Sequence, residues 1–235
     1  MKEIKVAAVI SSAHFSGNGA ELAREVLKGA KSRGADTEEI FLQRRELKYC
    51  TGCLKCISGG HCPIQDDFEE IRKLLYAADG IVLCSPTFGG TINAAMKNLF
   101  DRLGMFERCT SMLGGKYVIG LSTASNESAA KKTAKELAKG ISLGTFKRSM
   151  TSGIIGASIL PDGIAKNSVC LADAFKMGEK LVDDIITGKK YHTQNIAGRV
   201  IMHKIVRPIM YSYIVDNREN TTKAVYENLC DRGLA

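Results

Sequence analysis

Four cysteines lie within a thirteen-residue stretch of the chain. They form the pattern C-x2-C-x2-C-x5-C, with sulfurs at Cys50, Cys53, Cys56 and Cys62 and a proline at position 63. Zinc modules usually present two well-separated C-x2-C pairs, whereas three thiols in seven residues with a fourth close behind are typical of a [4Fe–4S] cluster. Three interpretations stay open at this point: an iron–sulfur cluster, a zinc site, and free or disulfide-forming thiols.

Two other loops, rich in Ser, Thr and Gly, could hold an anionic ligand with a flat ring. Residues 11–19 carry hydroxyls, an amide and two glycines ahead of a predicted helix. Free backbone N–H groups and the helix dipole favour a phosphate there. Neither a P-loop nor a G-x-G-x-x-G pattern is present, so a terminal monophosphate fits better than a pyrophosphate. The glycines of residues 86–91 would let a planar ring approach the backbone. The alternatives are a helix cap with a flexible turn and an ordinary strand-to-helix turn.

The elements that must position these loops alternate between strand and helix. Continuous apolar runs with β-branched residues predict buried parallel strands, and apolar residues at helical spacing predict helices between them. The predicted strands are 5–10, 38–43, 80–84, 117–121 and 153–159, and the predicted helices lie within 22–30, 66–78, 96–103, 127–139 and 169–186. This order predicts an α/β fold with a doubly wound, five-stranded parallel sheet. Ligands of such sheets bind at the carboxyl ends of the strands, where the loops after strands one, three and four converge.

Three motifs occur in the order seen in one known family. The first loop offers Ser12, Gly17 and Asn18, with His14 and Gly19 where that family usually has Arg and Thr. The second is the run from Ser85 to Gly90, followed by Lys97, Asp101 and Arg102. The cysteine loop adds Gly52, Gly60, Asp66 and Asp67 to the four cysteines. Over roughly residues 4–190 the chain thus resembles the flavodoxin-like NADPH-dependent FMN reductases, and among them the iron–sulfur flavoproteins.

The resemblance implies a noncovalently bound FMN at the carboxyl edge of a flavodoxin-like sheet. Its phosphate is expected near the loop at 11–19, and its isoalloxazine ring against residues 86–91 and 122–125. The expected cofactor-binding residues are Ser11, Ser12, His14, Ser16, Asn18, Gly19, Pro86, Thr87, Phe88, Gly89, Gly90, Thr91, Ser122, Thr123, Ala124 and Ser125. The expected cluster ligands are Cys50, Cys53, Cys56 and Cys62. No side chain is expected to act as a general acid or base, because a flavin carries this chemistry itself.

The sequence changes character after residue 190. Residues 1–190 are expected to form the FMN-binding domain, with the compact cysteine loop at 50–62. Residues 191–235 are expected to form a C-terminal helical arm, in which apolar side chains surround basic ones and Pro208 interrupts the helix. An arm across a partner subunit, giving a homodimer or homotetramer, is the favoured use. A membrane surface and packing within the chain are the alternatives.

Charge and hydropathy narrow the function. The chain has 33 basic and 25 acidic residues, a net charge of +8, but no nucleic-acid motif, so we expect anionic cofactors and not nucleic acid. No apolar stretch is long enough for a transmembrane segment and no signal-peptide pattern is present, which favours a cytoplasmic protein. The expected function is an FMN-dependent oxidoreductase that passes electrons through FMN and a [4Fe–4S] cluster, with NAD(P)H or a ferredoxin as donor.

Three other functions remain open. They are a cluster-free NAD(P)H-dependent reductase of FMN, quinones or nitro- and azo-aromatics, a pure flavodoxin-like electron carrier, and a zinc-stabilised binding module.

Overall fold

A twisted parallel sheet forms the centre of the protein. The computed structural model describes residues 3–141, 144–192, 194 and 196–234. The strands are β1 (Lys5–Ile10), β2 (Asp36–Phe41), β3 (Gly80–Phe88), β4 (Thr91–Ile92), β5 (Tyr117–Ala124) and β6 (Met150–Ser158). Five of them are parallel in the order β2-β1-β3-β5-β6, and the short β4 pairs antiparallel with the end of β3. The prediction of a five-stranded, doubly wound parallel sheet is therefore confirmed.

Helices cover both faces of this sheet. The helices that precede the C-terminal arm are α1 (Asn18–Ser32), α2 (Lys55–Gly59), α3 (Phe68–Ala77), α4 (Ala94–Thr110), α5 (Glu127–Gly140) and α6 (Ser168–Thr187). The apolar faces of α1 and α6 pack on one side of β1, and those of α3, α4 and α5 on the other. The two helices of the first side touch backbone to backbone: a Cβ on Gly29 or Gly178 would lie 1.9 Å from a carbonyl oxygen of the facing helix. Only glycine permits this approach.

Two strands are longer than their apolar runs predict. β3 continues past Cys84 to Phe88, and β5 continues past Leu121 to Ala124. The added residues are polar, yet Ser85 pairs with Ser122 and Pro86 with Thr123, so ladder hydrogen bonds extend the sheet beyond the apolar core. β2 and β6 also begin earlier than predicted, at Asp36 and Met150. The consequence is that residues 85–88 and 122–124 form one continuous surface at the carboxyl edge of the sheet.

The C-terminal arm is helical, as predicted. It contains α7 (Ile196–Ile201), a π-helical turn (Met202–Val206), α8 (Arg207–Asp216) and α9 (Lys223–Asp231). The end of α8 and α9 pack on the chain itself, where Ile214, Val225 and Leu229 are fully buried against side chains of α2 and α4. The earlier part is different, since it exposes a series of isoleucines and other apolar side chains between 196 and 213. A role in oligomerisation stays a prediction and concerns that earlier part.

Within the described ranges, no helix combines the length and the apolar character that crossing a membrane requires.

Candidate functional site

The strand order reverses between β1 and β3, and the loops predicted to bind a cofactor converge there. β1 is hydrogen-bonded to both β2 and β3, so the chain leaves β1 and β3 toward opposite faces of the sheet. In sheets of this order the ligand lies in the crevice outside the carboxyl ends of these strands. Ser11 follows β1 directly, and its backbone N–H donates to the carbonyl oxygen of Cys84 on β3 at 2.9 Å.

The loop after β1 ends at an uncapped helix. Gly17 is the N-cap residue of α1 and has no side chain to accept from the first-turn amides. The helices α4, α5 and α6 are instead capped by the side chains of Asn93, Asn126 and Asn167. Space is tight at Gly17, where a Cβ would lie 3.0 Å from the hydroxyl oxygen of Ser12. The N–H groups at the start of α1 are thus left for another acceptor, as a bound phosphate requires.

The predicted residues of this loop differ in their hydrogen bonds and in their exposure. The Ser11 hydroxyl donates to the Cys84 carbonyl oxygen, and the Asn18 side-chain oxygen accepts from Ile164 N at 2.8 Å. Both therefore fasten the loop to neighbouring segments. His14 and Ser16 are exposed, and Ser12 and Gly19 are buried beside the end of β1.

The buried thiol of Cys84 lies directly beneath this loop. Cys84 donates to the Gly19 carbonyl oxygen at 3.1 Å, and burial raises the pKa of the Cys84 thiol to about 12. At neutral pH this sulfur is therefore a neutral hydrogen-bond donor and not a nucleophile.

The second loop is a tight hairpin beside the end of β5. Gly89 and Gly90 have φ angles of 58° and 82°, which lie in the left-handed region that favours glycine. Thr87 fixes one side of the hairpin, because its hydroxyl is hydrogen-bonded to that of Ser122 at 3.0 Å and to that of Thr133 at 3.0 Å. Phe88 at the tip is 58% exposed. The structure thus brings together residues 86–91 and 122–125, as the expected ring site requires.

Sequence reasoning missed Asn93, which joins the two loops. Its side-chain nitrogen donates to the Ser11 carbonyl oxygen at 2.5 Å, and its side-chain oxygen accepts from Met96 N at 3.1 Å. Its backbone N–H donates to the Ser85 hydroxyl at 3.0 Å. One buried amide therefore caps α4 and sets the distance between the ends of β1 and β3. The available signal was an Asn three residues before an apolar helical run.

The cysteine loop follows β2 and passes over α4. All four predicted ligands line one cavity of about 60 Å³, together with the guanidinium of Arg102 and the side chain of Met105. Among the residues described, however, no three His, Cys, Asp or Glu side chains are close enough to hold a metal ion. The thiols do interact: burial raises the pKa of Cys56, and the neighbouring sulfurs of the set raise it further. The loop thus gathers the four thiols around one space without closing them into a coordination shell.

A buried ion pair anchors this loop to α4. Arg102 donates to the two carboxylate oxygens of Asp66 at 2.5 and 3.0 Å, and both side chains are fully buried. It also donates to the Lys48 carbonyl oxygen at 2.7 Å and lies 3.4 Å from the sulfur of Cys62. Burial raises the pKa of Asp66, but hydrogen bonds from Arg102 and from the backbone of Lys48 and Phe68 outweigh it, so the pKa lies below its usual value.

A second ion pair holds the far end of the loop. Glu69 accepts from the backbone N–H of Cys62 at 2.8 Å and pairs with Arg72 at 2.6 Å. Arg72 also donates to the Gly60 carbonyl oxygen at 2.9 Å, where the backbone has a φ of 75°. Asp66 and Arg102, which the sequence motif marked, and Glu69 and Arg72, which it did not, are therefore structural supports of the thiol loop.

Comparison with known proteins agrees with this arrangement. The sequence profile of the NADPH-dependent FMN reductases matches residues 4–147, which is more than half of the chain. The chain belongs to the NADPH-dependent FMN reductase family. An iron-sulfur flavoprotein of Methanocaldococcus jannaschii is 38% identical over 122 residues, covering 51% of this chain and 63% of that protein. An iron-sulfur flavoprotein of Methanosarcina thermophila is 30% identical over 129 residues, covering 55% and 68% of the two chains.

A solved structure supports the fold. The chain superposes on a flavone reductase with a TM-score of 0.63 over 80% of this chain and 66% of the other, at 20% identity. Such a likeness concerns the fold alone. The resemblance to the FMN reductases and to their iron–sulfur flavoprotein subgroup, inferred from three motifs, is confirmed by these matches.

Proposed function

We propose that the protein is an FMN-dependent oxidoreductase that transfers electrons between a reduced donor and an acceptor. The phosphate of FMN would lie at the start of α1, within reach of the uncapped N–H groups and of the hydroxyls of Ser12 and Ser16. The isoalloxazine ring would lie between residues 86–91 and 122–125, which form one surface at the sheet edge. The single observation that carries the proposal is this uncapped helix start beside the β1/β3 reversal, in a chain of the FMN reductase family.

A [4Fe–4S] cluster on Cys50, Cys53, Cys56 and Cys62 is the second part of the proposal. Four thiols around one cavity form a donor set suited to such a cluster, and relatives of this chain carry the name iron-sulfur flavoprotein. Arg102 and Glu69 already hold Cys62 in place, and binding a cluster would require the other three thiols to approach it. Arg102 lies nine residues beyond Asn93, roughly 13 Å along α4. The cluster would thus lie on the same helix whose start borders the flavin site.

The cofactors would supply the electron chemistry, because a flavin accepts two electrons and releases them singly. The protein would hold and orient them. Thr87 and Ser122 fix the ring surface through their shared hydrogen bond. With the cluster in place a ferredoxin is the expected donor, and NAD(P)H is the alternative donor.

A cluster-free NAD(P)H-dependent reductase of FMN, quinones or nitro- and azo-aromatics is the second candidate. The observation that favours it is the open arrangement of the thiols, which are not in metal-binding geometry in the described part of the chain. A pure electron carrier is the third and differs from both in having no steady-state NAD(P)H oxidation.

FMN titration of the apoprotein tests the flavin site. Replacing Ser12 and Ser16 by alanine removes two hydroxyls from the proposed phosphate site, and we expect FMN binding to weaken by roughly 1–3 kcal/mol. Ser128→Ala on the exposed start of α5 is the matched control and should leave the affinity unchanged. Equal affinity of the double variant and the control would show that the phosphate binds elsewhere.

Iron analysis after anaerobic reconstitution tests the cluster. Cys56→Ser should abolish iron and sulfide uptake, whereas Cys230→Ser, an exposed thiol outside the set, should not. Steady-state NAD(P)H oxidation by the two variants then separates the cluster-containing oxidoreductase from the cluster-free reductase. Full activity of Cys56→Ser with NAD(P)H and no iron in either protein would favour the cluster-free reductase.

A further inference from the structure

The outer edge of β6 is open. β6 lies at the end of the sheet, and within the described ranges no strand pairs with its outer side. Ile159 N donates to the Ala124 carbonyl oxygen of β5 at 2.9 Å, which sets the alternation of the backbone before it. The backbone N–H and C=O groups of Ile154, Gly156 and Ser158 consequently point away from β5. They form three successive positions at which another strand could pair.

The chain itself fills this edge at one end only. The side-chain amide of Gln194 donates to the Thr151 carbonyl oxygen at 2.7 Å and accepts from Thr151 N at 3.2 Å. This exchange reproduces what a residue of a neighbouring strand would do. Lys180 donates to the Ser152 carbonyl oxygen at 2.6 Å. These side-chain contacts in place of a neighbouring strand therefore stop just before Ile154.

A groove runs along the open part of the edge between α5 and α6. Two adjoining cavities of about 530 and 600 Å³ share Ile154 and Lys180 and follow β6 over its whole length. Apolar groups line the groove, among them Val169, which is 71% exposed, and Met177. Exposed strand edges are usually blocked because they invite pairing with another chain. Here the edge is flanked by a groove along the whole of β6.

The walls of the groove are strongly basic. Seven cationic side chains line the two cavities, and they are Lys131, Lys135, Lys139, Arg148, Lys176, Lys180 and Arg199. The acidic ones are Glu127 and Asp173. Glu127 pairs with Lys131, and Lys180 pairs with Asp184 beside the groove. No ion pair in the described part of the chain involves Lys135, Lys139 or Lys176. The charge of these three lysines indicates an acidic occupant.

We propose that this groove binds an extended, acidic segment of a partner protein, which adds to β6 as a further strand. Backbone hydrogen bonds to Ile154, Gly156 and Ser158 supply the attachment, and carboxylates of the segment pair with the lysines of α5 and α6. A second copy of this chain is disfavoured because two basic grooves would then face each other. Nucleic acid would use the charge but not the strand edge.

Fluorescence anisotropy with a defined probe tests the proposal. The probe is a fluorescein-labelled decapeptide of alternating Glu and Val, and its comparison is the same peptide with every backbone nitrogen methylated. We expect the methylated peptide to bind at least about tenfold more weakly, because it cannot donate to the β6 carbonyl oxygens. Equal binding of the two peptides would overturn the added strand. Displacement of the probe by lower concentrations of a single-stranded DNA decamer would assign the groove to nucleic acid and equally overturn the proposal.

Charge reversal and amide exchange test the location. Lys135→Glu combined with Lys139→Glu should weaken probe binding at least about tenfold. Lys73→Glu with Lys223→Glu makes the same change in net charge at exposed positions on α3 and α9 and should not. Hydrogen exchange should slow on binding at the amides of Ile154, Gly156 and Ser158. An equal loss in the control variant, or unchanged exchange at these three amides, would place the peptide elsewhere.

Discussion

Asp66→Asn tests the support of the thiol loop. The substitution keeps the shape of the side chain but removes the charge that faces the buried guanidinium of Arg102. Two charge-assisted hydrogen bonds, at 2.5 and 3.0 Å, depend on that charge. Breaking one partner of a buried ion pair costs about 3–5 kcal/mol. Since Arg102 keeps its bond to the Lys48 carbonyl oxygen, we expect about 3 kcal/mol, the lower end of this range.

Urea unfolding followed by circular dichroism, at a fixed FMN concentration, measures this loss. Asp101→Asn is the matched control, because Asp101 forms an exposed pair with Lys97 on the same helix. Exposed pairs within a helix contribute about 0.5 kcal/mol or less. If Asp66→Asn lowered the free energy of unfolding by no more than the control does, the buried pair would not be what holds the loop.

The same substitution should also change how the free energy of unfolding depends on pH. The pKa of Asp66 in the folded protein lies below its usual value of 3.8. Its contribution to stability is therefore present above that value and is lost as pH falls through the folded pKa. The difference in unfolding free energy between the natural protein and Asp66→Asn should shrink on acidification below about pH 4. A constant difference down to strongly acid pH would contradict the ionised state of Asp66.

Two further predictions concern a buried acid and the arm. Burial raises the pKa of Glu107 to about 7, above its usual value of 4.5. The natural protein should therefore lose roughly 3 kcal/mol of unfolding free energy as pH rises between these two values. Glu107→Gln should flatten this pH dependence in urea titrations. A slope that the variant retains would locate the titrating group elsewhere. Ile205→Glu with Ile209→Glu, at positions that are 55% and 67% exposed, should lower the mass measured by light scattering if residues 196–213 pack on a second subunit. Ile186→Glu, at a 64% exposed position outside the arm, is its control, and an unchanged mass in all three proteins would refute the oligomerisation role.

The sequence predicted the elements with strong local patterns. The apolar runs at 5–10 and 80–84 are central strands, and the periodic segments after them are helices, because burial on both faces of a parallel sheet leaves a continuous apolar run. It did not predict that β5 would continue through Ser122 and Thr123. Polar residues at a sheet edge carry no local strand signal, and their pairing with Ser85 and Pro86 depends on the neighbouring strand.

The side-chain contacts that support the site could not be predicted from local sequence patterns either. Asn93 joins the ends of β1 and β3 across 82 positions of sequence, and Arg102 reaches Asp66 across 36. The motif marked Asp66 and Arg102 as characteristic positions, but only the folded chain shows that they pair with each other beneath the thiol loop. The packing of α9 over α2 was missed for the same reason, because an apolar helix face indicates burial without naming its partner.

The visible absorption spectrum and iron content of protein purified without oxygen test the central proposal most directly. We expect the bands of one bound flavin per chain together with broad absorption that bleaches on reduction, and about four irons per chain. After exposure to air, anaerobic reconstitution with iron and sulfide should restore both the broad absorption and the iron content. A protein with flavin bands but no iron after reconstitution would contradict the cluster, and a protein that binds no flavin would contradict both the flavin site and the proposed electron transfer.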